Sequence, residues 1–196
     1  DTPAVAGSSK IPLSPNSDVL SPQSRSNPFF QPPVHPFLQP STPKSPHAPD
    51  VQIIYVDVSA TGANDGSSWA NAYTDLTTAI SNASNPSIIW IAEGVYTPGT
   101  QREDSFVLKD GIIIQGGFPS GGGDGSLEAR FPAAHETVLS GEIGAPGPDD
   151  NSYHVVTGDS TANELILLDG VSIAHGRANG GGDDNTGAGL MLDSSI

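Results

Sequence analysis

One phrase of this chain is written twice. Leu108-Lys-Asp-Gly-Ile-Ile-Ile-Gln-Gly-Gly117 returns as Leu167-Leu-Asp-Gly-Val-Ser-Ile-Ala-His-Gly176, with Leu, Asp-Gly, Ile and Gly in the same places. Each copy sets a turn dipeptide before a short β-branched run and a glycine after it, which reads as turn, strand, turn. A looser copy, Thr137-Val-Leu-Ser-Gly-Glu-Ile-Gly144, falls midway between the other two. A spacing of about thirty residues is the length of one unit in a repeat architecture, so stacked β-strand units are expected.

Composition changes sharply near residue 50. Of the 18 prolines, 12 fall in residues 1–50, whereas 22 of the 23 glycines come later. The arm is neutral: Lys10, Arg25 and Lys44 balance Asp1, Asp18 and Asp50. The net charge of −15 therefore belongs to residues 51–196, a length that can bury one core. An acidic surface repels phosphate backbones and anionic lipid, so nucleic acid is not expected as a partner. The chain has no Cys, which excludes disulfides and thiolate chemistry, and no apolar run of membrane-spanning length, so no membrane insertion is expected. It opens at Asp1 without Met or a basic-apolar leader, as a chain trimmed after export would, which points to a secreted or cell-surface location.

Residues 1–50 read as an extended arm. Proline this dense fixes φ and removes amide donors, favouring polyproline-type backbone over helix or central strand. The plain reading is a linker. Phe29, Phe30, Val34, Phe37 and Leu38 nevertheless form an apolar set that a solvated spacer does not need, and they are the candidate assembly residues.

After residue 50 the signals are those of strands and turns. Gln52–Val58 and Ser87–Ala92 are rich in β-formers, and Phe106–Leu108, Ile112–Ile114, Val138–Leu139, His154–Val156, Leu165–Leu168, Val171–Ile173 and Leu190–Leu192 follow, separated by glycine-rich loops. Trp69, Ala72, Tyr73, Leu76, Ala79 and Ile80 keep helical spacing, which predicts one helix near Asn71–Ile80, and nothing later looks helical. The predicted class is all-β: a right-handed parallel β-helix, or solenoid, over 51–196, with a short N-terminal capping helix and the extended Pro-rich arm over 1–50. The register implied by the repeat places Ile114 and Ile173 at equivalent inward positions; it also makes Asp110 and Asp169 equivalent, able to stack as a ladder, although Asp before Gly is a turn former first.

The phrases Tyr55-Val-Asp, Thr61-Gly-Ala-Asn-Asp-Gly-Ser-Ser-Trp-Ala-Asn-Ala-Tyr73, Ile89-Trp-Ile-Ala-Glu-Gly-Val-Tyr-Thr-Pro98, Ser105-Phe-Val-Leu-Lys-Asp-Gly111, Gly116-Gly-Phe118, Thr137-Val-Leu-Ser-Gly141 and Leu168-Asp-Gly with Gly176 resemble the N-terminal part of bacterial surface proteins with right-handed parallel β-helix (pectate-lyase-like) domains, including relatives of the polymorphic outer-membrane proteins. The resemblance covers most of residues 55–190 and implies the fold more than an activity. The Pro-rich arm departs from that family's pattern, and the family continues through further coils where this chain stops at Ser194-Ser-Ile196.

The resemblance also implies what to look for chemically. Lyases of acidic sugars on that fold hold Ca²⁺ by strand carboxylates and use Arg or Lys as base, yet Arg102, Lys109, Arg130 and Arg177 sit in no cluster of strand carboxylates. No catalytic residue is therefore assigned. Asp149, Asp150 and Asn151, with Asp183, Asp184 and Asn185, gather hard oxygen donors in two loops, which suits calcium. They lack the spacing of an EF-hand, so solvated loops are the plainer reading. His135, His154 and His175 show no metal-ligand spacing, and Trp69, Tyr73 and Trp90 read as core. The function expected is that of a structural, self-assembling extracellular protein, a homo-oligomer forming a filament or surface layer through the arm. The alternative is the N-terminal part of a larger adhesin or polysaccharide-active protein.

Overall fold

A computed structural model describes residues 51–159 and 165–193. The chain divides into two units, Asp1–Lys44 and Ser45–Ile196, and the described residues belong to the second. The arm residues Phe29, Phe30, Val34, Phe37 and Leu38 lie outside them.

The elements run β1 (Gln52–Val56), α1 (Leu76–Asn82), β2 (Ser87–Ala92), β3 (Gly94–Tyr96), β4 (Phe106–Leu108), β5 (Ile112–Phe118), β6 (Thr137–Ser140), β7 (Val156–Asp159), β8 (Leu167–Asp169), β9 (Ser172–Ala174) and β10 (Leu190–Asp193). They make three parallel sheets: β1-β2-β5-β8, β3-β6-β9 and β4-β7-β10. Because side chains alternate along a strand, one set from each sheet points inward. Ile54, Ile89 and Ile114 from the first sheet, Tyr96 and Leu139 from the second, and Phe106 and Val156 from the third meet in a single core.

Helix α1 belongs to that core. Asp75 caps its first turn by accepting from the Thr78 amide at 2.6 Å, and Leu76, Ala79 and Ile80 bury one face. It starts five residues after the expected Asn71. Tyr73 instead pairs with the first strand: its amide donates to the Tyr55 carbonyl at 2.9 Å, and the Asp57 amide donates to its carbonyl at 2.9 Å. Backbone already bonded to a strand cannot enter a helix.

The expected class needs correction. The described residues do not form an all-β solenoid: they form three separate small parallel sheets of short strands with an integral α-helix, a mixed α/β arrangement. Four 3-10 turns, at Ser120–Gly122, Leu127–Ala129, Pro148–Asp150 and Gly182–Asn185, occupy stretches read as irregular loops. Strand β3 was not among the expected strands and follows β2 after Glu93 alone.

The register inferred from the repeat is also wrong, for a clear reason. Ile114 pairs with Leu168 across β5 and β8, whereas Ile173 pairs with Leu139 across β6 and β9. Asp169 lies opposite Gln115, so Asp110 and Asp169 do not stack. What the two copies share is a corner. The first turns the chain from β4 into β5 and the second turns it from β8 into β9, each through a glycine in the left-handed region, Gly111 at φ 68° and Gly170 at φ 70°. The repeat therefore encodes turns between successive sheets, and successive strands of one sheet share no such phrase.

Candidate functional site

Two apolar surfaces emerge from the register. The first is the outer face of sheet β1-β2-β5-β8. Since Ile54, Ile89 and Ile114 point inward, their neighbours Ile53, Ile88 and Ile113 point outward, and the pairing aligns Ile53 with Ile88, Ile88 with Ile113, and Ile113 with Leu167. The result is an apolar ladder across four strands, half-buried on the first three and exposed at Leu167. The next outward row, Tyr55, Trp90 and Gln115, is covered by an aromatic cluster. The Trp90 and Phe118 rings stack at 4.9 Å, the Tyr55 and Trp69 rings meet edge-on at 5.0 Å, and Trp90 Nε1 donates to Gln115 Oε1 at 2.9 Å. Trp69 and Trp90, read from the sequence as core, pack instead in this outward cluster, while Tyr73 packs against the core.

The second surface is the end of the core. Among the described residues all three sheets finish together, on β8, β9 and β10. Their inward residues continue the buried columns: Leu168 follows Ile114, Ile173 follows Leu139, and Leu190 follows Val156. Burial does not continue with them. Ile54, Ile89 and Ile114 are 2%, 0% and 1% exposed, while Leu190 and Leu192 are 43% and 58% exposed and Leu168 and Ile173 are only partly covered. An isolated exposed leucine is ordinary, whereas core positions losing cover in all three sheets together form a patch.

The two acidic loops lie side by side, and the carboxylates of Asp149, Asp150 and Asp184 already face partners. Asp149 pairs with Arg177, and Asp150 Oδ2 accepts from the Ala145 amide at 2.7 Å. Asn151 is buried, with its carbonyl accepting from Arg102 Nε at 2.8 Å. The Asp183 carbonyl accepts from the Thr186 amide at 3.2 Å, Asp184 Oδ1 stands 3.5 Å from His154 Nε2, and Asn185 is exposed at the end of its 3-10 turn. Arg102 clasps the loops together: its guanidinium sits 4.1 Å above the Tyr153 ring and donates to the Arg177 carbonyl at 3.3 Å and to Asn179 Oδ1. Among the described residues no group of three or more His, Asp or Glu converges as a metal site. The other basic residues are likewise tied down. Arg130 pairs with Asp169 at 2.8 Å, and Lys109 Nζ donates to the Ser81 carbonyl at 2.9 Å.

A polar latch that the sequence reading missed surrounds Asp57, just after β1. Its carboxylate accepts from the Ser59 amide at 2.8 Å, the Ser59 hydroxyl at 2.6 Å, the Gly121 amide at 2.7 Å and the Ser120 hydroxyl at 3.1 Å. Burial alone pushes this carboxyl up, but the donors of Ser59, Gly121 and Ser120 together outweigh it and hold the group below its ordinary value. Glu93 joins the same loop by accepting from the Ser120 amide at 3.2 Å. It is held low first by His135, whose Nδ1 lies 3.0 Å away. Burial pushes the Tyr96 phenol up; its oxygen accepts from the Val58 amide at 3.3 Å and its hydroxyl donates to the Ala92 carbonyl at 3.1 Å. The signal for the latch was present in Asp57-Val-Ser59, an aspartate two residues before a serine amide, which is the spacing of an Asx-turn. Its distant half, Ser120-Gly121, carries no local mark.

Among the described residues no helix is long and apolar enough to cross a membrane. No family model, curated protein or solved structure matches this chain, so its two apolar surfaces and its loop clasp stand as the features from which function is argued.

Proposed function

We propose that this protein is a structural, self-assembling extracellular subunit of a filament or surface layer, in which the Pro-rich arm of one copy docks on a neighbouring copy. The observation that carries the reading is the outward ladder Ile53, Ile88, Ile113 and Leu167, an apolar strip in register across four strands. The arm offers the complementary chemistry in Phe29, Phe30, Val34, Phe37 and Leu38. Proline has already restricted such a segment, so it loses little entropy on docking, and its aromatics supply the buried area. Its neutrality matters too, because it can approach a domain whose own net charge is strongly negative without repulsion. The resemblance of residues 55–190 to bacterial surface proteins supports the extracellular setting.

The test is a full-length variant with Phe29, Phe30 and Phe37 changed to Ser. Sedimentation velocity should show loss of the largest assemblies at an unchanged thermal midpoint. Assembly equal to that of the unaltered chain would remove the arm from the account.

A further inference from the structure

We propose that Asn179 is a self-modification site: the Gly180 backbone nitrogen attacks the Asn179 side-chain amide, and Arg102 supplies the donor that stabilises the step. The proposal does not depend on self-assembly.

Sequence provides the nucleophile. Asn179-Gly180 is the one Asn-Gly step in the chain. Attack on a side-chain amide by the next backbone nitrogen needs that nitrogen to come close to Cγ, and glycine has no Cβ in the way and a backbone free to turn. The fold provides the donor. Arg102 Nη2 donates to Asn179 Oδ1 and, at 3.3 Å, to the Arg177 carbonyl, while its Nε donates to the Asn151 carbonyl at 2.8 Å and its Cζ lies 4.1 Å from the Tyr153 ring centre. The planar guanidinium is therefore fixed before any reaction begins. When the Gly180 nitrogen adds to Cγ, the carbonyl electron pair moves onto Oδ1, the atom that this cation already holds. A preorganised charged donor at the oxygen where negative charge develops is the arrangement of an oxyanion hole.

The reaction balances with water alone. Gly180 N–H gives its proton to solvent as the N–Cγ bond forms; the Cγ–Nδ2 bond then breaks, and the amide nitrogen leaves as ammonia after taking a proton from solvent. Water opens the resulting cyclic imide at either carbonyl and leaves aspartate or isoaspartate in place of Asn179. Nothing is oxidised or reduced. In the resting loop the Gly180 amide donates to the Asp184 carbonyl at 3.0 Å, so that bond opens first and keeps the conversion slow. The aspartate product sets a carboxylate against Arg102 where a neutral amide oxygen stood, which turns the contact into an ion pair.

The test holds the full chain at mildly alkaline pH and follows each asparagine by peptide mass spectrometry, beside a sample unfolded in urea. Asn179 should convert faster than every other asparagine, and at least as fast in the folded chain as in urea, where Arg102 no longer holds Oδ1. Arg102→Gln, with its fold checked by circular dichroism, should slow the conversion about tenfold or more, and Arg102→Lys, which keeps a cation, should slow it less. A folded chain that converts Asn179 more slowly than the unfolded one, or a folded Arg102→Gln variant as fast as the unaltered chain, overturns the proposal. The comparison with urea uses the unaltered sequence, so it decides the matter even where Arg102→Gln does not fold.

Discussion

The two ends of one core differ in what covers them. At the β1 end, Asp75 starts a helix whose Leu76, Ala79 and Ile80 close the hydrophobic columns. At the β8–β10 end, residues of the same kind in the same columns are half-buried or about half exposed. Leu168 is as apolar as Ile89, and both point inward. The difference teaches that burial here is a property of the neighbour in the stack and only secondarily of the residue.

Substitutions break or sharpen this contrast. The largest effect is expected in the closed region: Phe106→Ala should cost about 3 to 5 kcal/mol and Ile114→Ala about 2 to 5 kcal/mol, the range for fully buried side chains. Ile173→Ala, one column along at the open end, should cost about 1 kcal/mol, because a partly exposed side chain loses less transfer energy and leaves less cavity. Equal costs in urea melts would erase the distinction between the ends.

Next come the corners that the repeat encodes. Gly111→Ala and Gly170→Ala each force a side chain into left-handed backbone, at roughly 1 to 2 kcal/mol. The added Cβ meets Asn85 at the first position and Arg130 with the Gly116 carbonyl at the second. Both copies should respond alike even though they lie in different sheets, since the turn is what they share. A neutral Gly111→Ala would show that the phrase is not a turn signature.

Smaller still is the cap. Asp75→Ala should cost about 1 kcal/mol in urea melts, the loss of one helix cap. The weakest effect concerns pH. Because the folded carboxyl of Asp57 is held below its ordinary value, the stability it contributes is fully present above the unfolded carboxylate pKa, near 4, and is lost as pH falls through the lower folded value. Asp57→Asn should therefore flatten the loss of stability below about pH 4 and change little at pH 7 beyond the replaced hydrogen bonds. An unchanged acid limb would mean that the latch does not couple to folding.

Much of the local structure was legible. Most strand positions followed from β-branched runs, though β3 was not expected and the strand expected over His154–Val156 runs instead over Val156–Asp159; the corners followed from Asp-Gly. The register was not, because the repeated phrase marks passage between sheets, so Ile114 and Ile173 looked equivalent while lying in different ones. The helix was legible in kind but not in its start: Tyr73 continued the helical spacing but gave its backbone to β1. Neither apolar surface could be seen beforehand. The ladder Ile53, Ile88, Ile113 and Leu167 exists only once the pairing is known, and the exposed end only once β8, β9 and β10 are known to be last in their sheets. The acidic loops were legible as loops, but the guanidinium and imidazole that face Asp149 and Asp184 come from distant sequence.

The central claim, a core closed by α1 at one end and thinly covered by the described residues at β8, β9 and β10, is tested most directly by amide hydrogen exchange on the full chain. The amides of β2 and β5 should exchange slowest and those of β8, β9 and β10 markedly faster. Uniform protection across the strands would contradict the account.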